Sequence, residues 1–186
     1  MLLELSKDEE SILELEKNYP YQLRVTDLPN SSAAIFSRFP LVDKGLSSNS
    51  IQDAAFLVPE VQVSEKKAFR LVLWHARQPL FPSNFYTNRK DCRRLATLVR
   101  NRTEDYLVFG DFNATPHSRC YQWFVDSAVQ HVFWGKGLQW TWDARMWFAR
   151  LLIDHGFYSE GFSLKSAKKL ESVASDHYPI FADFEY

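Results

Sequence analysis

The residues best suited to chemistry lie in VFGDFNATPHS, residues 108–118. Tyr106, Leu107, Val108 and Phe109 form an apolar run that suits a buried strand, and Gly110 is expected to end it. Asp111 then falls at the strand's carboxyl end, with Asn113 two residues on. A carboxylate and an amide at this spacing offer hard oxygen ligands and an N–H donor, the set that positions Mg²⁺ and a phosphate. Taken alone, Gly-Asp and Asn-Ala are also ordinary turn chemistry. Comparable groups recur at other strand ends: Glu4 within the first apolar run, His75 after Ala68–Trp74, and Asp154 after Leu151–Ile153. Ser175-Asp176-His177 directly precedes a final strand, Ile180–Phe184. Each has a plainer explanation by itself, as a rim carboxylate, a structural histidine or an Asx-turn. Together they would converge if the strands lie side by side, where an open sheet gathers ligands.

Water attacks a phosphodiester only when the phosphate charge is neutralised, the water is oriented and deprotonated, and the leaving oxygen is stabilised. Mg²⁺ takes one or two carboxylates and keeps several waters, which Glu4 and one aspartate could supply. Asp154 held against His177 would fix the imidazole tautomer and raise its pKa by opposite charge. That histidine could then serve as base or as a cationic phosphate clamp. Asp111 could orient the attacking water while Asn113 donates to a phosphoryl oxygen.

These groups must be carried by a sheet. Ser6 and Glu9 make a capping box for a helix to about Asn18, closed by Pro20. Strands are expected at Tyr21–Val25 and Ala33–Ser37, with turn and loop from Val42 to Asn49. Ala54–Val58 and Val61–Ser64 look like a hairpin around Pro59 and Glu60. Residues 77–88 read as a loop, and Asn88–Arg102 as a helix with Cys92, Leu95, Ala96 and Val99 inside. Its Arg89, Lys90, Arg93, Arg94, Arg100 and Arg102 read first as a solvated face and only second as a nucleic-acid patch. Arg119–Ser127 follows as a helix, Val129–Trp134 as a strand, and Gln139–Trp142 as a strand or rim segment. One α/β domain over residues 1–186, with strands outnumbering helices, accounts for this order.

Composition narrows the class. The chain has 186 residues, 46% hydrophobic and 24% charged, which fits one globular domain with a substantial core. A net charge of -1 gives no global attraction to nucleic acid, although a local patch would suffice. Cys92 and Cys120 lack metal-type spacing, so reduced thiols are the expectation. No run approaches the length of a membrane span. Met1-Leu2-Leu3-Glu4-Leu5 starts abruptly, like the middle of a buried strand, which suggests that sequence precedes it.

LVLWHA, VFGDFNATPHS, LLIDHGFYS and VASDHYPIFADF, in this order, resemble the endonuclease/exonuclease/phosphatase family over nearly the whole chain. The resemblance implies an α/β (α+β) fold, a four-layer sandwich of two packed mixed β-sheets flanked by helices, with the site at one end. It implies a divalent-metal phosphoesterase, with Mg²⁺ as the usual cofactor and Mn²⁺ as an alternative, acting on a phosphate ester such as nucleic acid. By the same resemblance Glu4 and Asp176 are metal ligands, and His75, Asp111, Asn113, Asp154 and His177 are catalytic. A phosphodiesterase or nuclease is the first expectation. An inositol-phosphate or lipid-headgroup phosphomonoesterase, or a domain that only binds, are the alternatives. The family's opening asparagine-bearing strand has no counterpart here, so the domain is expected to be amino-terminally truncated, and cytoplasmic or membrane-tethered through upstream sequence. Gly156 follows Asp154-His155 where an apolar residue is usual, which suggests a bend in that strand.

Overall fold

A computed structural model describes residues 15–25, 33–43, 55–127, 129–146, 148, 150–172 and 175–186. Glu4 and most of the helix expected after Ser6 lie outside the described residues; residues 15–18 are helical. The strands are β1 (Tyr21–Val25), β2 (Ala33–Ser37), β3 (Leu41–Asp43), β4 (Ala55–Leu57), β5 (Pro59–Ser64) and β6 (Lys67–His75). Helix α1 (Pro82–Arg100) precedes β7 (Tyr106–Asp111), and helix α2 (Arg119–Val125) precedes β8 (Gln130–His131). β9 (Asp154–Tyr158), β10 (Ser163–Lys169) and β11 (Ile180–Glu185) complete the order.

The central sheet runs β3-β5-β6-β7-β9-β8, and β4 also pairs with β6. Among the described residues, only β6 and β7 are parallel neighbours in it, joined by the crossover helix α1. β1 with β2, and β10 with β11, form two antiparallel pairs outside it. Alternation along the strands divides the core. Val72, Trp74, Val108 and Phe157 face the helices and meet Cys92, Leu95, Val99 and Phe124. On the opposite face, Leu71 and Leu73 pack on the β1–β2 pair through Leu23, Ala33 and Ile35. Leu107, Phe109 and Tyr158 pack on the β10–β11 pair through Leu164, Ala182 and Phe184. The result is an α+β fold in which a mixed sheet is covered by helices on one face and by two smaller sheets on the other.

Several expectations need correction. The two runs around Pro59 are not a hairpin: β4 pairs with residues 73–75 of β6 and β5 with residues 67–70, so they follow one another along the same edge. Pro59 opens β5, a strand position where its missing N–H is tolerated. Pro82 starts α1 six residues before Asn88, because a proline at the first helical position loses nothing. β10 was invisible to hydrophobic patterning: it is lysine-rich and mostly exposed, yet Leu164 and Ala167 reach the core. β3 runs into the start of the expected loop, and the strand expected at Leu151 begins only at Asp154.

Cys92 and Cys120 are bonded in a disulfide, not reduced, with their Cα atoms 5.6 Å apart. The bridge staples α1 to α2 across the core, a contact that their sequence spacing did not reveal. Gly110 does not end its strand, which continues to Asp111. A Cβ at Gly110 would overlap the Trp74 carbonyl of the neighbouring strand, so glycine permits the close parallel pairing there. Nor does Gly156 bend β9, whose register with β7 is continuous. A Cβ at Gly156 would overlap the Phe109 ring, which uses the space instead.

Two histidines are structural. His131 and His155 are 4% and 0% exposed, and His131 Nε2 lies 3.0 Å from His155 Nδ1. The Phe133 N–H donates to His131 Nδ1, and His155 Nε2 faces the Ala114 carbonyl at 2.7 Å. One tautomer satisfies every partner: each neutral ring donates from Nε2 and accepts at Nδ1. Burial pushes the His131 pKa down to about 3, helped by the His155 charge. Burial likewise takes His155 down to about 4, against the opposing pull of the Ala114 carbonyl and Asp154. The unfolded chain therefore binds protons that the folded chain refuses. Stability from this pair is full above the unfolded value of 6.5 and is lost as pH falls toward the folded values. We expect urea unfolding to show a loss on the order of a few kcal/mol between about pH 7 and about pH 4.5. In His131→Phe the loss should be clearly smaller, and an equal loss in that variant would refute the assignment.

Candidate active site

Three adjacent strands deliver the first three groups in register. His75 of β6 is the partner of Asp111 of β7, and Asp111 is the partner of Asp154 of β9. Residues in register share a sheet face, here the face turned away from the helices. The ring nitrogen Nε2 of His75 is 3.9 Å from Asp111 Oδ2, an ion-pair distance when the ring is charged and too long for a hydrogen bond. Asp111 and Asp154 are each 6% exposed.

His177 arrives from the segment that leads into β11. Its Nδ1 faces Asp154 Oδ2 at 2.9 Å and Oδ1 at 3.1 Å. Trp142 holds this segment against the sheet by bridging both His177 and Leu151. Burial opposes charge on His177, but the Asp154 hydrogen bond, with the charges of Asp154, Asp111 and Asp176, outweighs it and lifts the pKa to about 9. Potential ligand atoms of Asp111, Asp154 and His177 all lie within 4.8 Å of one another.

Asn113 is hydrogen-bonded to Asp111. Its backbone is left-handed, with φ of 46°, a conformation that asparagine tolerates. That turn lets its N–H donate to Asp111 Oδ1 at 2.7 Å and its side-chain amide donate to Asp111 Oδ2 at 2.8 Å. The other amide hydrogen goes to the Ala76 carbonyl at 2.9 Å. Through these bonds Asn113 ties Asp111 to the end of β6.

Asp176 stands beside the cluster, not within it. Its Oδ2 accepts from Trp142 Nε1 at 3.3 Å and from Arg145 Nη2 at 3.1 Å. Arg145 also grips Asp143 with Nε and Nη2, at 3.1 and 2.9 Å. This grip is the first cause of the depressed Asp143 pKa. Sequence reasoning missed Arg145 and also Thr141, whose buried hydroxyl accepts from the N–H groups of Ile153 and Asp154 at 3.1 and 3.0 Å. Thr141 sets where β9 starts and so where the Asp154 carboxylate stands. A threonine between two tryptophans carries no signal of that duty.

The donor set fits a hard divalent cation. Two carboxylates approach from neighbouring strands, both with restricted solvent access, and with His177 they bring potential ligand atoms within 4.8 Å of one another.

A model of the Endonuclease/Exonuclease/phosphatase family matches residues 1–177. The chain belongs to this family, and it is accordingly a divalent-metal-dependent hydrolase acting on phosphate esters. No curated protein sequence matches it. Among solved structures it is similar to the human Nocturnin catalytic domain with bound sulfate, at 18% identity and a TM-score of 0.70, over 96% of this chain and 76% of that one. It is also similar to a 3'-5' exonuclease (NExo) from Neisseria meningitidis, at 18% identity and a TM-score of 0.71, over 98% and 86% of the two chains. TDP2 of D. rerio, complexed with a single-strand DNA product, shares 14% identity with a TM-score of 0.70 over 100% and 84%. At such identities the likeness speaks for the fold.

Proposed function

We propose that the chain is a Mg²⁺-dependent phosphodiesterase, with Asp111 and Asp154 holding the cation and His75 and His177 flanking the phosphate. The observation that carries this reading is the register of His75, Asp111 and Asp154 across three strands, with His177 folded onto Asp154. Glu4, by resemblance, would add a carboxylate to the cation. When bound, the cation supplies charge neutralisation of the phosphate and a more acidic water.

The protein groups divide the remaining work. Water bonds to phosphorus through its oxygen, the ester P–O bond breaks, and the departing oxygen takes a proton. Asp154 occupies Nδ1 of His177, so Nε2 is the nitrogen left to exchange a proton with the reacting oxygens. Asp111, immobilised by Asn113, presents a carboxylate of fixed orientation. His75, across the strand from Asp111, is placed to meet the leaving group. Asp176 acts through Arg145 and Trp142, keeping the His177 segment seated.

The test is hydrolysis of bis(4-nitrophenyl) phosphate. Activity should vanish with EDTA, return with Mg²⁺ or Mn²⁺, and fall by about 10²-fold or more in Asp111→Asn. Metal-independent hydrolysis, or faster turnover of the monoester 4-nitrophenyl phosphate, would overturn the proposal.

A further inference from the structure

The face of α1 turned away from the sheet is strongly cationic. Residues 82–102 hold Arg89, Lys90, Arg93, Arg94, Arg100 and Arg102 against one acid, Asp91, in a chain whose net charge is -1. Asp91, only 5% exposed, interacts with Arg94 and Lys90, and this single acid leaves most of the positive charge unbalanced. Among the described residues, Arg89, Lys90, Arg93 and Arg94 have no carboxylate at ion-pair distance, whereas Arg102 pairs with Glu104 at 3.0 Å. Four neighbouring exposed cations repel one another, so this surface favours an anionic partner over water alone.

Shape narrows the partner. Arg89, Lys90, Arg93, Arg94 and Arg102 line a shallow groove of about 760 Å³ whose other wall is Trp123 of α2. The Arg89 guanidinium lies 6.0 Å from the Trp123 ring centroid. Arg89, Arg93, Thr97 and Asn101 recur at every fourth position, so the groove follows the helix for several turns, at ~6 Å per step. A row of guanidinium forks beside an indole matches a linear polyanion with π-faces: forks bind phosphates, and the indole stacks on a base.

The groove also begins at the correct end of the molecule. The Asn88 side chain accepts from the Arg77 N–H at 3.2 Å and donates to the Arg77 carbonyl, which ties this turn of α1 to the chain two residues beyond His75. Arg89 is the next residue.

We propose that this groove is a second binding surface, which holds single-stranded nucleic acid by its backbone on the helical side of the sheet. The inference rests on the phosphodiesterase reading for what becomes of the strand, but its test reads binding alone. Binding of a fluorescein-labelled 20-nucleotide single-stranded DNA is measured by anisotropy without divalent cation, over a series of salt concentrations. In Arg89→Gln/Arg93→Gln/Arg94→Gln the affinity should fall by at least tenfold, and the slope of log K against log salt should flatten by about 2. Hydrolysis of bis(4-nitrophenyl) phosphate should stay at the wild-type rate, since none of the three touches the catalytic cluster. Unchanged DNA affinity and slope would overturn the proposal. So would a variant that keeps DNA binding but loses attachment to phosphatidylserine-containing vesicles, which would make the face a membrane surface. Absent hydrolysis with intact groove-dependent DNA binding would count against the phosphodiesterase reading only.

Discussion

Replacing His177 by alanine should lower turnover of a phosphodiester by about 10²- to 10⁴-fold, the range usual for losing a positioned proton-transfer group. The size follows from how this ring is placed. Both Asp154 oxygens are within hydrogen-bond reach of Nδ1, so the ring's orientation is set before substrate arrives, and in the proposed reaction Nε2 is the nitrogen that exchanges the proton. Alanine leaves Asp154 in its largely buried position without its partner, so the loss should appear mainly in kcat. His131→Phe, which alters a histidine in the core, should leave kcat close to wild type at neutral pH. A similar fall in both variants would mean that histidine loss acts through folding and not through the site.

The second large effect is on stability. Gly110→Ala should destabilise the fold by on the order of 4 kcal/mol, at the severe end for a single methyl group. The added carbon meets a backbone carbonyl, that of Trp74, on a strand locked in parallel register with β7. Backbone held between two strands cannot step aside as a side chain can. Gly156→Ala is the natural comparison, because its obstacle is the Phe109 ring, which can turn away. Urea unfolding of the two variants should therefore rank Gly110→Ala well below Gly156→Ala. The reverse order would contradict the register that places His75 beside Asp111.

Much of this was readable in the letters, for physical reasons. Tyr106–Phe109 suits a buried strand, and Asp111, two residues beyond Phe109, falls at that strand's carboxyl end. The same logic located His75, whereas Asp154 opens β9 instead of closing a strand at Leu151–Ile153. What stayed hidden depends on contacts between distant residues. Thr141 supports Asp154 and Arg145 clamps Asp176 through folding of a segment with no regular pattern. The Cys92–Cys120 bond needs α1 and α2 side by side, which cysteine spacing does not report. Nor does the sequence reveal the left-handed backbone of Asn113, which turns its amide onto Asp111 and Ala76. β10 shows the opposite failure: Lys165, Lys168 and Lys169 hid a strand whose inward residues are small or few.

The central claim is that Asp154 and His177, brought together from separate parts of the chain, work as one device on a phosphate ester. Steady-state hydrolysis of bis(4-nitrophenyl) phosphate by Asp154→Asn, His177→Ala and the double variant tests it most directly. Each single change should cost orders of magnitude, and the double variant should be scarcely worse than the poorer single one. Losses that multiply in the double variant, or a wild-type rate in either single variant, would contradict the account.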